Sequence, residues 1–127
     1  MRFHEGRSIY QQIVEYVEDQ ILTGRWDEDA RVPSVRELAV ELGVNPNTVQ
    51  RSYATLQDTG VIYNQRGVGY FVASGGKKRS LDRRRSEFER NVLPGVFETM
   101  EMIGYSMNDV SALWERRREH DSERGEE

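Results

Sequence analysis

Apolar residues in the first part of the chain recur at intervals of three and four. Ile9, Tyr10, Ile13, Val17, Ile21 and Leu22 form one such stripe, which predicts an amphipathic helix. Ser8 and Gln11 are placed as its N-terminal capping box, and Gly24 ends it. Residues 25–33 read as a polar connection. A second helix opens at Ser34, with Glu37 as box partner, buries Leu38, Ala39 and Leu42, and stops at Gly43. Only Val44 and Asn45 then precede Pro46. Asn45 can cap, and proline at the first helical position loses an N–H that has no intrahelical partner anyway. A third helix is therefore expected from Pro46 to about Asp58, burying Val49, Tyr53 and Leu56 and turning Asn47, Gln50, Arg51 and Ala54 outward.

Beyond Gly60 the period changes to alternation. Residues 61–64 and 69–73 read as two short strands around Gln65-Arg66-Gly67-Val68, a hairpin whose glycines permit positive φ. The predicted fold is mainly α with a small β-hairpin: a winged helix-turn-helix over 1–74, followed by a short two-helix segment. Ser74-Gly75-Gly76 and Lys77-Lys78-Arg79 read as a flexible basic linker, assigned to 75–80. Helical spacing returns over 81–118 with Phe88, Val92, Val96, Phe97, Met100 and Ile103. Pro94 marks a kink or a fresh turn, and Ser106 and Asp109 cap a last helix bearing Val110, Leu113 and Trp114. Residues 119–127 are charged and apolar-poor, and are expected to be disordered.

Composition excludes several functions. The 127 residues contain no cysteine, which removes disulfides, thiolate metal sites and cysteine nucleophiles and agrees with a reducing cytoplasm. No apolar run approaches the roughly 20 residues that span a membrane, so neither export nor a membrane partner is expected. His4 and His120 stand far apart in sequence without an orienting partner, so no catalytic or metal role is expected for either and no cofactor is assigned. The net charge of -4 is unevenly spread: residues 61–90 carry 8 basic and 3 acidic side chains, against 6 and 10 before them and 4 and 9 after. Lys77–Arg85 is either a DNA-steering run or a solvated linker face.

Two helices separated by three residues, the second opening on proline and showing small polar side chains and an arginine, have the proportions of a helix-turn-helix. The chemistry suits the shape: Asn and Gln pair with adenine, Arg pairs with guanine, and a threonine near a helix start can bind phosphate. The run from Val32 to Val72, with PS-x-REL, NPNTV and G-x-G-x-FV in order, resembles the GntR family of bacterial regulators. Its VNPNTV-x-R-x-Y spelling is closest to the small YtrA-type branch, and the resemblance covers residues 8–73. It departs at Ser8, where the family has proline, and at Ser52, where it has alanine.

The resemblance implies that Ser34 and Arg36 grip the phosphate backbone, that Asn45, Asn47, Thr48, Gln50 and Arg51 lie in or beside the major groove, and that Arg66 and Gly67 form the wing tip. Gly67 and Gly69 belong to the wing turn rather than to a dinucleotide loop, which joins strand to helix. Plainer roles stay open: Arg36 as a solvated helix arginine, Asn47 and Thr48 as extensions of the cap. The resemblance further implies a cytoplasmic, homodimeric repressor on double-stranded DNA with a pseudo-palindromic operator, often of a nearby transporter operon.

Phe88, Val92, Val96, Phe97, Met100, Ile103, Val110, Leu113 and Trp114 are too many for two short helices to bury alone, so a second protomer is expected to cover part of them. The methionines at 100, 102 and 107 read as packing within that interface. No cavity of about 300 Å³ or more is expected inside one protomer, so that any effector would sit between protomers. Two rival readings are a protein-docking module, which the polar face Asn47, Gln50, Arg51 argues against, and a remnant of an enzyme-linked regulator, for which no catalytic side chain stands out.

Overall fold

The computed structural model describes residues 6–125, and four of its helices start on side chains that capture orphan backbone N–H groups. Ser8 Oγ accepts from Gln11 N at 3.4 Å and opens α1 (Ile9–Leu22). Ser34 and Glu37 exchange both bonds of their box, 3.1 and 3.3 Å, at the head of α2 (Val35–Leu42). Asn45 Oδ1 accepts from Asn47 N at 2.8 Å and opens α3 (Pro46–Asp58), with Pro46 in its first turn. Gly43, in the left-handed region at φ 67°, turns the chain between α2 and α3.

The wing is a hairpin of β1 (Ile62–Gln65) and β2 (Gly69–Val72), antiparallel with Ile62 opposite Val72, its ends shifted slightly from those expected. The expected polar connection over 25–33 is more than a connection. Asp29 N donates to Val72 O, Val72 N to Ala30 O and Val32 N to Tyr70 O, all at 2.9–3.0 Å, and Arg31 bridges Phe71. This segment adds a third rung beside β2. It is too short to show alternation, and Asp27 and Glu28 precede it, so no strand pattern marks it.

One apolar core serves all of these elements. Ile13, Val17 and Ile21 from α1, Leu38 from α2, and Val49, Tyr53 and Leu56 from α3 are buried together, and Val32, Val61, Ile62 and Val72 close them from the wing side. Each such side chain is worth about 1.5–3 kcal/mol when fully buried.

The flexible linker expected at 75–80 is instead the first part of a helix, α4 (Gly76–Glu87). Polar chemistry seats it. Arg79 donates from Nε to Gly60 O (2.9 Å) and from a terminal nitrogen to Ser74 O. Arg84 reaches Glu15 O at 3.0 Å and Asp19 Oδ1 at 2.6 Å, and both Arg83 and Arg84 pair with the buried Glu18 carboxylate. A buried carboxylate without such partners would be strongly destabilising, so the arginines are held where it lies. Arg79, Arg83 and Arg84 of the basic run are thus engaged with groups outside α4 and Lys78 pairs with Asp82 at 3.5 Å, while Lys77 and Arg85 are exposed.

The chain divides into two compact units, the first ending at Arg84 and the second beginning at Arg85, ten residues beyond the expected boundary. The second unit continues from the end of α4 through a π-helical turn (Phe88–Val92), α5 (Leu93–Ile103) with Pro94 in its first turn, and α6 (Met107–Gly125). Ser106 and Asp109 form the expected cap: Asp109 N donates to Ser106 Oγ at 3.2 Å, while Ser106 N (2.8 Å) and the Ser106 hydroxyl (3.0 Å) donate to Asp109 Oδ2 and hold that carboxyl below its ordinary range. The tail expected to be disordered from 119 is helical as far as Gly125, because intrahelical bonding does not require an apolar stripe; Glu126 and Glu127 lie outside the described residues.

Gly76 sits against Val61, where a Cβ would come within 2.5 Å of the carbonyl oxygen. Gly76→Ala is therefore expected to destabilise the protein by about 1–3 kcal/mol by forcing α4 off its seat. Urea denaturation checks this, and wild-type stability would mean that α4 does not pack as described.

Candidate nucleic-acid interface

The outward face of α3 is set by the burial of its inward face. With Val49, Tyr53 and Leu56 in the core, Asn47, Gln50, Arg51 and Ala54 stand exposed, as the helical period requires. Thr48 is half-buried. Its carbonyl oxygen and that of Tyr10 both lie 2.9 Å from the hydroxyl of the buried Ser52, so the serine that replaces the family's alanine links α3 to the start of α1.

Two of these exposed side chains are already held. Arg51 lays its guanidinium over the ring of Tyr10, with Cζ 3.8 Å from the ring centroid. Gln50 Nε2 donates to the hydroxyl of Tyr70 on β2 at 3.3 Å. Tyr70 in turn meets Tyr53 edge to face, ring centroids 4.9 Å apart. The sequence reading gave neither Tyr10 nor Tyr70 a role in the site. Both carry only the signal of helix and strand periodicity, which marks packing.

Ser34 and Asn45 are occupied as helix caps, and the bonds from Ser34 hold the Glu37 carboxyl below its ordinary range. Arg36 is exposed on α2. It lines one shallow groove with Val40, Val44 and Pro46, which brings it beside the first turn of α3. At the other end of the site Arg66 and Gly67 are exposed in the turn between β1 and β2.

Gly69 begins β2 at φ 148°, a conformation that side chains resist, and a Cβ there would stand 3.2 Å from Arg31 Nε. The second glycine of the wing therefore leaves room for an exposed arginine that the sequence reading passed over. No pattern announced Arg31, since its place beside Gly69 depends on the third rung.

The phenol of Tyr53 ties the parts together. Its hydroxyl donates to Pro33 O at 2.7 Å, just before the cap of α2, and burial pushes its pKa up, with Tyr70 and Glu37 adding to the shift.

Among the described residues no group of three or more His, Cys, Asp or Glu side chains is arranged to hold a metal ion, and no helix is long and apolar enough to cross a membrane. His120 is exposed on α6, and His4 lies outside the described residues. The second unit does contain an open apolar groove of about 600 Å³, lined by Val92, Val96, Met100, Ile103, Tyr105 and Val110, contrary to the expectation that one protomer could not form one. The walls come from the end of the π-helical turn, α5, the turn that Gly104 makes at φ 68°, and the start of α6.

The family described as bacterial regulatory proteins, gntR family, matches residues 9–72. The chain is 30% identical to the HTH-type transcriptional regulator YhcF of Bacillus subtilis over 109 residues, covering 86% of this chain and 88% of that protein. It is 38% identical to the HTH-type transcriptional repressor YtrA of the same organism over 69 residues, covering 54% of this chain and 53% of YtrA. A crystal structure of a GntR-family regulator from Bacteroides thetaiotaomicron superposes with a TM-score of 0.72 at 38% identity, covering 90% of this chain and 99% of that one.

Tyr53→Phe keeps the ring and deletes the bond to Pro33. A loss of about 1–2 kcal/mol is expected, that of a buried carbonyl left without its donor. Thermal unfolding measures it, and an unchanged melting temperature would show that this bond does not anchor α2 to α3.

Proposed function

Because the chain belongs to the gntR family of bacterial regulatory proteins, and is thereby a DNA-binding transcription regulator rather than an enzyme, we propose that it is a homodimeric repressor that reads a pseudo-palindromic operator in the cytoplasm. The observation that carries the reading half is the exposed polar face of α3, beside Arg36 on one side and the wing on the other. In this reading Asn47, Gln50 and Arg51 meet base edges in a major groove. Ser34, Arg36, Asn45 and Thr48 serve the flanking phosphates, the caps through the first turns they hold open, and Arg66, Gly67 and Gly69 form a wing that approaches the neighbouring minor groove. Arg31, seated beside Gly69, adds a cation to that wing. The name of YtrA supports repression, and the resemblance to its branch favours a nearby operon, with transporter genes among the candidates.

The dimer rests on a different observation: no residue from 85 to 125 is buried. Ile103 is 68% exposed and Trp114 60%, and Phe88, Val92, Val96, Phe97 and Leu113 are also exposed, while Met100 and Val110 line the apolar groove. A helical segment that hides none of its own apolar side chains gains its stability from a partner surface, and in a C₂ dimer the same face covers itself. The groove of about 600 Å³ is then space that the second copy occupies or that an effector shares with it.

Two measurements test the two halves. Arg36→Ala is expected to weaken binding to operator and to scrambled duplex alike and to lower the salt slope by about one unit, as loss of one phosphate contact requires; an unchanged slope would remove Arg36 from the interface. Phe97→Asp places a charge on the exposed apolar face, and sedimentation should find a folded monomer with reduced operator affinity. A dimer with full affinity would place the interface elsewhere.

A further inference from the structure

Most exposed long side chains on a recognition helix sample several rotamers and lose that freedom on binding. Gln50 and Arg51 are different, since each is engaged by an aromatic residue from another element: Gln50 by the Tyr70 hydroxyl on β2 and Arg51 by the Tyr10 ring on α1. Both tyrosines are themselves fixed. Tyr70 packs edge to face on the buried Tyr53, and its backbone carbonyl accepts from Val32 N at 3.0 Å. The Tyr10 carbonyl is held by Ser52, directly beside Arg51 in the sequence, at 2.9 Å.

We infer that Tyr10 and Tyr70 are positioning residues for sequence recognition, presetting Arg51 and Gln50 in the orientations in which they meet base edges. This inference rests on the reading of α3 as the DNA-reading helix. The two interactions use different parts of a tyrosine. Tyr70 acts on Gln50 through its hydroxyl, whereas Tyr10 acts on Arg51 through the face of its ring, which phenylalanine also offers. The stack leaves the edge of the guanidinium, where its donors lie, available for a bidentate bond in the ring-parallel plane. The Tyr70 hydroxyl, in accepting from the Gln50 amide nitrogen, fixes which end of that amide faces the wing and so which end is left for a base. A glutamine free to flip would offer donor and acceptor in either order and discriminate less.

The same substitution at the two sites therefore has opposite consequences. The intact protein, with variants Tyr70→Phe, Tyr10→Phe and Tyr10→Leu, is used to select sequences from a randomised duplex library, and the preference at each position of the selected site is compared. Tyr70→Phe keeps the ring on Tyr53, so it should fold and bind random duplex as wild type does. Preference at one base pair per half-site should fall by about five-fold, the low end of what a bidentate base contact contributes. Tyr10→Phe should reproduce the wild-type profile, and Tyr10→Leu should broaden it at a different base pair. A Tyr70→Phe profile identical to wild type, or a Tyr10→Phe profile that matches Tyr10→Leu, would overturn the inference while leaving α3 as the reading helix. If the wild-type protein enriches no sequence, the reading of α3 falls and the inference with it.

Discussion

A phenol hydroxyl inside an apolar core must find an acceptor, and the position of that acceptor then constrains everything attached to it. Tyr53 finds Pro33 O, at the last residue before the cap of α2, while its ring fills the core and touches the edge of Tyr70 on β2. One side chain of α3 thereby fixes the start of α2 and the base of the wing. The exposed face of α3 is a consequence: once Tyr53 points inward, Gln50, Arg51 and Ala54 must point outward. The turn at Gly43, the third rung at Arg31 and the order Arg36, α3, wing around the site all follow from elements held to this residue.

The second constraint is electrostatic. Glu18 is buried on α1, and its charge is met by Arg83 and Arg84 of α4. Four of the six cations of the basic segment at 77–85 are spent on the protein's own carboxylates and carbonyls. The positive charge left to the proposed interface is accordingly discrete: Arg31, Arg36, Arg51 and Arg66, on four different elements or turns. Net charge of the chain says little about such a surface, because what matters is which cations are not already neutralised by a carboxylate of the protein.

Much of the fold was legible because its helices begin with side chains whose bonding has a fixed spacing. Ser34 with Glu37, Asn45 with Pro46, and Ser106 with Asp109 each mark a start within a residue, and the stripe Val49, Tyr53, Leu56 gave the orientation of α3. What periodicity reads is apolar burial, so it passed over elements that dock by other means. The rung at residues 29–32 is made by backbone bonds over four residues. The helix from Gly76 is seated by arginines and a glycine, with Leu81 its one apolar residue, and reads as linker for that reason. In the site, the exposed residues of α3 were found from the period, whereas the hold of Tyr10 and Tyr70 upon them joins residues 41 and 20 positions apart and has no signature along the chain.

The polar seat of α4 also determines how that helix would come away. Releasing a helix docked through a greasy stripe uncovers apolar surface, with a large gain in heat capacity and a sticky patch left behind. Lifting α4 instead uncovers Glu18, the carbonyls of Glu15 and Gly60, and the part of Val61 that Gly76 covers. Its opening should therefore change the heat capacity less, and is opposed mainly by the loss of the arginine bonds to Glu18, Glu15 and Gly60. Ion pairs on a carboxylate as buried as Glu18 are screened little by salt, so the end of the chain leading to the proposed dimer keeps its hold on the reading head at ionic strengths that already weaken contacts to phosphate.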